Sequence, residues 1–113
     1  MITRKDEQTI EIRERMRGGA KQVEIRNLAR ELPAKARLFG RLRLIPGASI
    51  GYHVHEGETE LFYFLSGAGR VRDGEQWFDV QPGDVLSTGN GNGHAVENTG
   101  DEDLVFIAVI VKD

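Results

Sequence analysis

The stretch GASIGYHVHEGETELFYFLSG, residues 47–67, decides how this chain folds. Its composition is that of two β-strands separated by the short polar turn EGET, and side chains two residues apart on a strand point to the same face. His53 and His55 are two residues apart and therefore share a face. Glu60 follows five residues later, at the start of the second strand.

A second stretch, GDVLSTGNGNGHAVEN, residues 83–98, completes the first. All three histidines of the protein lie in these two stretches, and the third is His94. Imidazole nitrogens and carboxylate oxygens together bind transition metals. We therefore predict that His53, His55, Glu60 and His94 are the ligands of one metal ion.

The spacing resembles the two sequence motifs of the cupin superfamily. The first motif is a glycine, five residues, His-x-His, three or four residues, Glu, six residues and a glycine. Its positions are occupied by Gly47, His53, His55, Glu60 and Gly67. The second is a glycine, five residues, Pro-x-Gly, two residues, His, three residues and Asn, and Gly83, Gly91, His94 and Asn98 match it.

Gly89 stands where the second motif has proline. Glycine leaves more freedom to the loop that carries His94, so we expect Gly89→Pro to stabilise the metal-free protein if the local φ permits proline.

The resemblance implies an all-β fold, the jelly-roll or double-stranded β-helix barrel, formed by residues 1–113 as a single domain. It implies one divalent transition metal ion, which could be Mn, Fe, Ni, Co, Cu or Zn. It also implies a structural role for the motif residues Gly47, Gly67, Gly83, Gly91 and Asn98. Because Phe62 and Phe64 share the strand face of Glu60, we expect both to line the substrate pocket.

The rest of the chain also reads as short strands separated by Gly-rich turns, with Asp73-Gly74 a hairpin signal. Alternation at Ile10 and Ile12 and again at Val23 and Ile25 predicts two strands joined near Gly18-Gly19. A helix through Val23, Leu28 and Leu32, ended by Pro33, fits the second segment as an alternative.

Composition excludes several classes of protein. The 113 residues contain no cysteine, so disulfides, thiolate metal sites and a cysteine nucleophile are ruled out. The beginning MITRKDEQ lacks the apolar segment of a signal peptide, and no apolar run is long enough to span a membrane. We expect a cytoplasmic protein whose residues 1–8 form a loose arm.

Charge is distributed unevenly. Residues 1–45 contain 12 Lys/Arg and 6 Asp/Glu, and residues 46–113 contain 3 and 12. The basic residues alternate with acidic ones and aromatic residues are absent before Phe39, which argues against nucleic-acid binding. The basic arm could instead pair with the acidic half of a second copy, so we predict a homodimer.

Strand alternation and turn positions place other charged and aromatic side chains away from a direct role. We expect exposed carboxylates at Glu56, Glu58 and Glu97, outward arginines at Arg41 and Arg43, and packing at a sheet face or subunit interface for Tyr63 and Trp77.

Two functions remain open. One is a metal-dependent enzyme acting on a small chelating substrate that is anionic or enolisable, such as a dioxygenase, a decarboxylase or a sugar isomerase or lyase. The other is a non-catalytic module that binds or senses a small molecule. No Ser-His-Asp set is available when every histidine binds metal, so any chemistry depends on the ion.

Overall fold

The computed structural model describes residues 1–113 and contains ten β-strands. The strands are β1 (Thr9–Glu14), β2 (Gln22–Asn27), β3 (Ala36–Leu44), β4 (Ser49–Val54), β5 (Glu58–Ser66), β6 (Gly69–Asp73), β7 (Gln76–Val80), β8 (Val85–Thr88), β9 (Gly93–Asn98) and β10 (Leu104–Lys112). Single-turn 3₁₀ helices, Lys5–Glu7 and Met16–Gly18, flank β1. No helix of this chain has the length and apolar character needed to cross a membrane.

The strands form two sheets, and all neighbouring strands in them are antiparallel. The larger sheet has the order β1-β2-β3-β10-β5-β8, and the smaller has the order β4-β9-β6-β7. Chain neighbours such as β3 and β4, or β4 and β5, lie in different sheets, which is the crossing pattern of a jelly roll. The fold is thus the predicted all-β jelly roll.

The core lies between the two sheets. Fourteen buried apolar residues form one cluster, with side chains from both sheets. Each strand contributes to this core with alternate side chains. In β3, Leu42 and Leu44 are buried, whereas Arg41 and Arg43 lie on the opposite face, as predicted. Phe62, Phe64 and Phe106 are the largest side chains that the cluster buries completely.

The uncertain segment after β1 is a strand and not a helix. β2 pairs with β1 along its whole length and with β3 from Val23 to Asn27. The segment forms a strand because alternate residues of a strand share a face, and this places Val23 and Ile25 together in the core. Leu32, which the alternative helix would have buried, is partly exposed.

The N-terminal residues contact the segment that follows β2. The backbone N–H of Arg30 donates to Thr3 Oγ1 over 3.2 Å, and its guanidinium donates to Glu7 Oε2 over 2.8 Å. The same guanidinium reaches the carbonyl oxygen of Ile2. These contacts attach the arm to the larger sheet beside β2.

The outer face of the larger sheet carries apolar side chains. β5 is a central strand, because it pairs with β10 on one side and β8 on the other. Its outward residues Leu61 and Tyr63 are nevertheless exposed. They lie next to outward apolar residues of the neighbouring strands, because Val109 pairs with both Phe39 and Leu61, and Tyr63 pairs with Val85. We call these five residues the outer apolar patch.

Candidate metal centre

A β-bulge in β4 aims His53 into the barrel. Ile50 pairs with Val96 and His53 pairs with His94, so three steps along β4 match two along β9. In a regular strand Ile50 and His53 would face opposite sides, but the extra residue lets both point inward. Ile50 can therefore be buried in the core while His53 joins the histidines of the site.

The four predicted ligands converge. His55 immediately follows β4, Glu60 lies near the start of β5, and His94 is the second residue of β9. Their ligand atoms all lie within 4.8 Å of one another, and His55, Glu60 and His94 are buried. The two sheets therefore bring together residues that are up to forty-one positions apart in the chain.

The separations fit a metal ion. His94 Nε2 lies 3.1 Å from His53 Nε2, 3.1 Å from His55 Nε2 and 3.0 Å from Glu60 Oε1. His55 Nε2 lies 2.9 Å from Glu60 Oε1. Two ligands at right angles, each about 2.1 Å from an ion, are about 3 Å apart, so these four separations match neighbouring positions of an octahedron.

Each imidazole uses its Nδ1 in another hydrogen bond, so that its Nε2 faces the centre. His53 Nδ1 donates to the carbonyl oxygen of Gly51 over 2.8 Å. His55 Nδ1 donates to Glu58 Oε2, and His94 Nδ1 contacts Thr88 Oγ1, also over 2.8 Å. Such outer partners fix the ring orientation of metal-binding histidines.

With these hydrogen bonds in place, the converging atoms have too few protons to hydrogen-bond to one another. The carbonyl and carboxylate partners accept only, so neutral His53 and His55 carry their proton on Nδ1 and present lone pairs at Nε2. Of the three converging nitrogens, only His94 Nε2 could bear a proton while all three imidazoles stay neutral. Lone pairs this close repel one another, and a bound cation would convert that repulsion into attraction.

Glu58 is a site residue that the sequence reasoning missed, since we expected an exposed turn carboxylate. It begins β5 and is largely buried, with Arg37 donating to both its oxygens over 3.0 and 2.7 Å. The Arg37 guanidinium, aided by His55, lowers the pKa of Glu58 to about 2 against the cost of its burial. Glu58 therefore stays a carboxylate and holds His55 Nδ1–H.

Thr88 was missed as well. It is the last residue of β8, pairs with Glu60 across the sheet and is almost completely buried. A threonine six residues before a histidine carries no sequence signal for this contact, because the two residues lie on different sheets. The Arg37–Glu58 pair likewise joins strands separated by β10 and could not be read from spacing.

Burial lowers the pKa of His53, and the nearby His94, His55 and Arg17 lower it further, against the opposing hydrogen bond to Gly51. His53 is only partly buried, unlike the other three ligands. It therefore forms the more accessible side of the centre.

The predicted pocket phenylalanines lie beside and behind the ligands. Phe62 stacks on the His94 ring with centroids 4.8 Å apart. Phe64 packs on Phe106 at 5.2 Å within the core cluster. Phe62 therefore supports a ligand ring, whereas Phe64 belongs to the core, and neither lines the cavity described below.

The remaining flanking residues lie outside the ligand set. Glu56 is exposed, and Glu97 is paired with Arg70 over 2.7 Å on the outside of the smaller sheet. Arg70 also lies over the ring of Trp77, 4.3 Å from its centroid, so Trp77 lies on a sheet face.

The motif glycines occupy turns and bends, and Asn98 is the last residue of β9. Gly47, Gly67, Gly83 and Gly91 all have positive φ, where a side chain is strained. The Asn98 side chain donates to the carbonyl oxygens of Leu44 and Glu102, and its Oδ1 accepts from the Gly100 N–H.

Thr59 explains the missing proline. A Cβ at Gly89 would lie 2.4 Å from Thr59 Oγ1 and 3.1 Å from Thr59 Cβ. A proline ring would need Thr59 to move, so this contact argues against the expectation that Gly89→Pro stabilises the protein.

A cavity of about 410 Å³ opens beside the ligands. It is lined by Arg17, Arg37, Val54, His55, Glu56 and Glu58. Of the four predicted ligands only His55 lines this cavity, so a small molecule there would approach the candidate metal centre from the side of His55.

Comparisons with known proteins agree with this geometry. The chain is 44% identical over 113 residues to an oxalate-binding protein of Thermotoga maritima, covering 98% of this chain and 93% of that protein. It is 40% identical over 73 residues to the oxalate decarboxylase OxdC of Bacillus subtilis, covering 60% of this chain. That match spans 19% of the decarboxylase, about a fifth of its length.

A solved structure shares the whole fold. The crystal structure of a predicted oxalate decarboxylase from Thermotoga maritima superimposes with a TM-score of 0.91 at 43% identity and covers 100% of both chains. The family model for the cupin domain matches residues 40–110, which contain all four predicted ligands. The chain therefore belongs to the cupin family.

Proposed function

We propose that this protein binds a divalent transition metal ion through His53, His55, Glu60 and His94, and that it binds a small chelating dicarboxylate beside that ion, with oxalate as the first candidate. The observation that carries the proposal is the convergence of three imidazole Nε2 atoms and one carboxylate oxygen on a common point. The match to an oxalate-binding protein over almost the full chain supports the choice of ligand.

Charge favours an anionic ligand. Glu60 is the only carboxylate among the four residues, so a bound divalent ion would keep about one net positive charge by simple counting. Such an ion would supply attraction for carboxylate oxygens, and four protein ligands leave two octahedral positions free. A dicarboxylate with two adjacent oxygens fits this requirement.

One of the two carboxylates that line the cavity, Glu58, is unsuited to acid catalysis. Decarboxylation of a dicarboxylate requires a group that delivers a proton to the product carbon. Glu58 is held as a carboxylate by Arg37 and His55, and its low pKa makes it a poor acid. The second candidate function, a decarboxylase, would depend on Glu56, the one carboxylate in the cavity without an ion-pair partner.

Two measurements on one preparation test the proposal. Metal content is determined after purification without added metal and again after loading with manganese, cobalt or zinc, and oxalate binding is then measured by calorimetry. We expect one ion per chain, and oxalate binding that requires the ion. A protein that binds no metal under any condition, or a metal-loaded protein that does not bind oxalate, would contradict the proposal.

Formate and carbon dioxide release distinguish the two functions. Binding without turnover supports the binding protein. Turnover that is lost in Glu56→Gln, while that variant still binds metal and oxalate, supports the decarboxylase.

We also propose that the protein is a homodimer. The support is the outer apolar patch, which the single chain leaves exposed.

A further inference from the structure

Arg17 is held beside the candidate metal centre in an unusual backbone conformation. Its φ and ψ are 55° and 30°, in the left-handed region, and Arg15 and Lys21 in the same loop also have positive φ. For a residue with a Cβ this conformation costs about 1–2 kcal/mol. Non-glycine residues in this region concentrate at functional sites, where the surrounding structure holds them in place.

The loop is fixed on the bulge that positions His53. A Cβ on Gly51 would lie 2.0 Å from the Arg17 carbonyl oxygen, so only a glycine allows the two segments this close. Gly51 in turn accepts the hydrogen bond from His53 Nδ1. Arg17 is therefore attached, through one residue, to a ligand of the proposed metal ion.

The side chain of Arg17 has no partner within the chain. It lines the cavity beside the ligands, as does Arg37, but Arg37 is occupied by Glu58 through two hydrogen bonds. Arg17 makes no side-chain hydrogen bond or ion pair, whereas five other arginines pair with carboxylates. It is the one uncommitted cation in this cavity.

We propose that Arg17 binds the outer carboxylate oxygens of a small dianion whose inner oxygens face the metal ion. The inference rests on the proposed function and adds the residue that would distinguish a dicarboxylate from a monocarboxylate. A guanidinium presents paired N–H donors that match a carboxylate, and such charge-assisted hydrogen bonds are about twice as strong as neutral ones. Acetate beside the ion would leave Arg17 without a second carboxylate.

The test compares two probes, oxalate and acetate, on cobalt-loaded wild-type protein and on Arg17→Gln, Arg17→Lys and Arg13→Gln. Arg13 is an exposed arginine of the same basic segment and serves as the matched control. We expect Arg17→Gln to weaken oxalate binding about 10- to 100-fold, in line with the loss of one hydrogen-bonded ion pair to a ligand. Acetate binding and cobalt affinity should change less than about threefold, and Arg17→Lys should recover part of the oxalate affinity.

Each alternative result has a distinct meaning. Oxalate binding in Arg17→Gln that equals the wild type, or an equal loss in Arg13→Gln, overturns the role of Arg17 and leaves the proposed function standing. Loaded wild-type protein that binds neither oxalate nor another small dicarboxylate overturns both. Cobalt affinity is measured first in every variant, so a folding or metal-loading defect cannot be mistaken for loss of the anion contact.

Discussion

At the scale of single residues, Glu58 determines which nitrogen of His55 faces the other ligands. Its carboxylate accepts the Nδ1 proton of His55 and is itself held by two hydrogen bonds from Arg37. Without that acceptor, His55 could carry its proton on Nε2, where it would block a metal ion. Glu58 thus acts through His55, without being one of the converging ligands.

Glu58→Gln is expected to lower metal affinity about 10- to 100-fold, the usual effect of losing an outer partner of a histidine ligand. The amide can donate to His55 as well as accept, so the tautomer is no longer fixed. Affinity is measured by competition with a chelator, and ¹⁵N chemical shifts of the His55 ring report the tautomer. Glu56→Gln is the matched control, and an affinity in Glu58→Gln equal to that of the control would contradict the positioning role.

The same residue predicts a pH dependence. Arg37 lowers the pKa of Glu58 to about 2, below its unfolded value, so the folded state binds fewer protons than the unfolded state between about pH 4.5 and 2. The stabilisation is present above pH 4.5 and is lost as the pH falls toward 2. We expect the free energy of unfolding of the metal-free protein to fall less over this range in Glu58→Gln than in Glu56→Gln. Equal slopes would contradict the expectation.

At the scale of elements, the bulge in β4 and the contact between the ends of β8 and β9 show what a sequence pattern can and cannot predict. The four ligands were predictable because their spacing resembles a known pair of motifs and because strand alternation puts His53 and His55 on one side. The bulge was not predictable, since it depends on the register between β4 and β9. Contacts such as Thr88 with His94 depend on strand ends that meet only in the folded barrel.

The strand pattern was similarly predictable where alternation was strong. β3, β5 and β10 alternate or are continuously apolar, and each is a nine-residue strand. The segment around Val23 could be a strand or a short helix because both periods bury its apolar residues. Only pairing with β1 and β3 decides between them.

Gly89 provides a prediction for the loop that carries His94. Because a Cβ there would collide with Thr59, Gly89→Ala should lower the free energy of unfolding by about 1–3 kcal/mol, the usual cost of overpacking. Gly89→Pro should also destabilise. Denaturant unfolding measures the change, and Gly100→Ala is the matched control because its Cβ would meet only ordinary contacts of 3.5 Å or more.

Combining Gly89→Ala with Thr59→Gly removes the two nearest collisions. We expect the double variant to lose less stability than the sum of the two single variants. Additive losses would mean that Thr59 is not what excludes a side chain from position 89.

At the scale of the whole molecule, the larger sheet has one covered and one uncovered face. Its inner face packs on the core, whereas Phe39, Leu61, Tyr63 and Val85 are between 39% and 61% exposed on the outer face. Contiguous exposed apolar residues of this kind mark interaction sites more often than free surface. Arg26 and Arg41 lie opposite each other on the same sheet and form no ion pair within the chain, so acidic groups of a second copy could neutralise them.

The size of this face suits a dimer. β3, β5 and β10 have 9 residues each, β1 and β2 have 6, and β8 has 4. At about 3.3 Å per residue and about 4.8 Å between strands, the face covers roughly 700 Å², close to the ~800 Å² per partner of a stable interface. We expect sedimentation at micromolar concentration to give a homodimer and Tyr63→Arg to give a monomer, since a charge at the centre of the patch would be buried unpaired. Trp77→Arg, on the outside of the smaller sheet, is the control and should remain dimeric. A monomeric wild-type protein would contradict the dimer. A dimeric Tyr63→Arg variant would mean that the interface does not lie on the outer apolar patch.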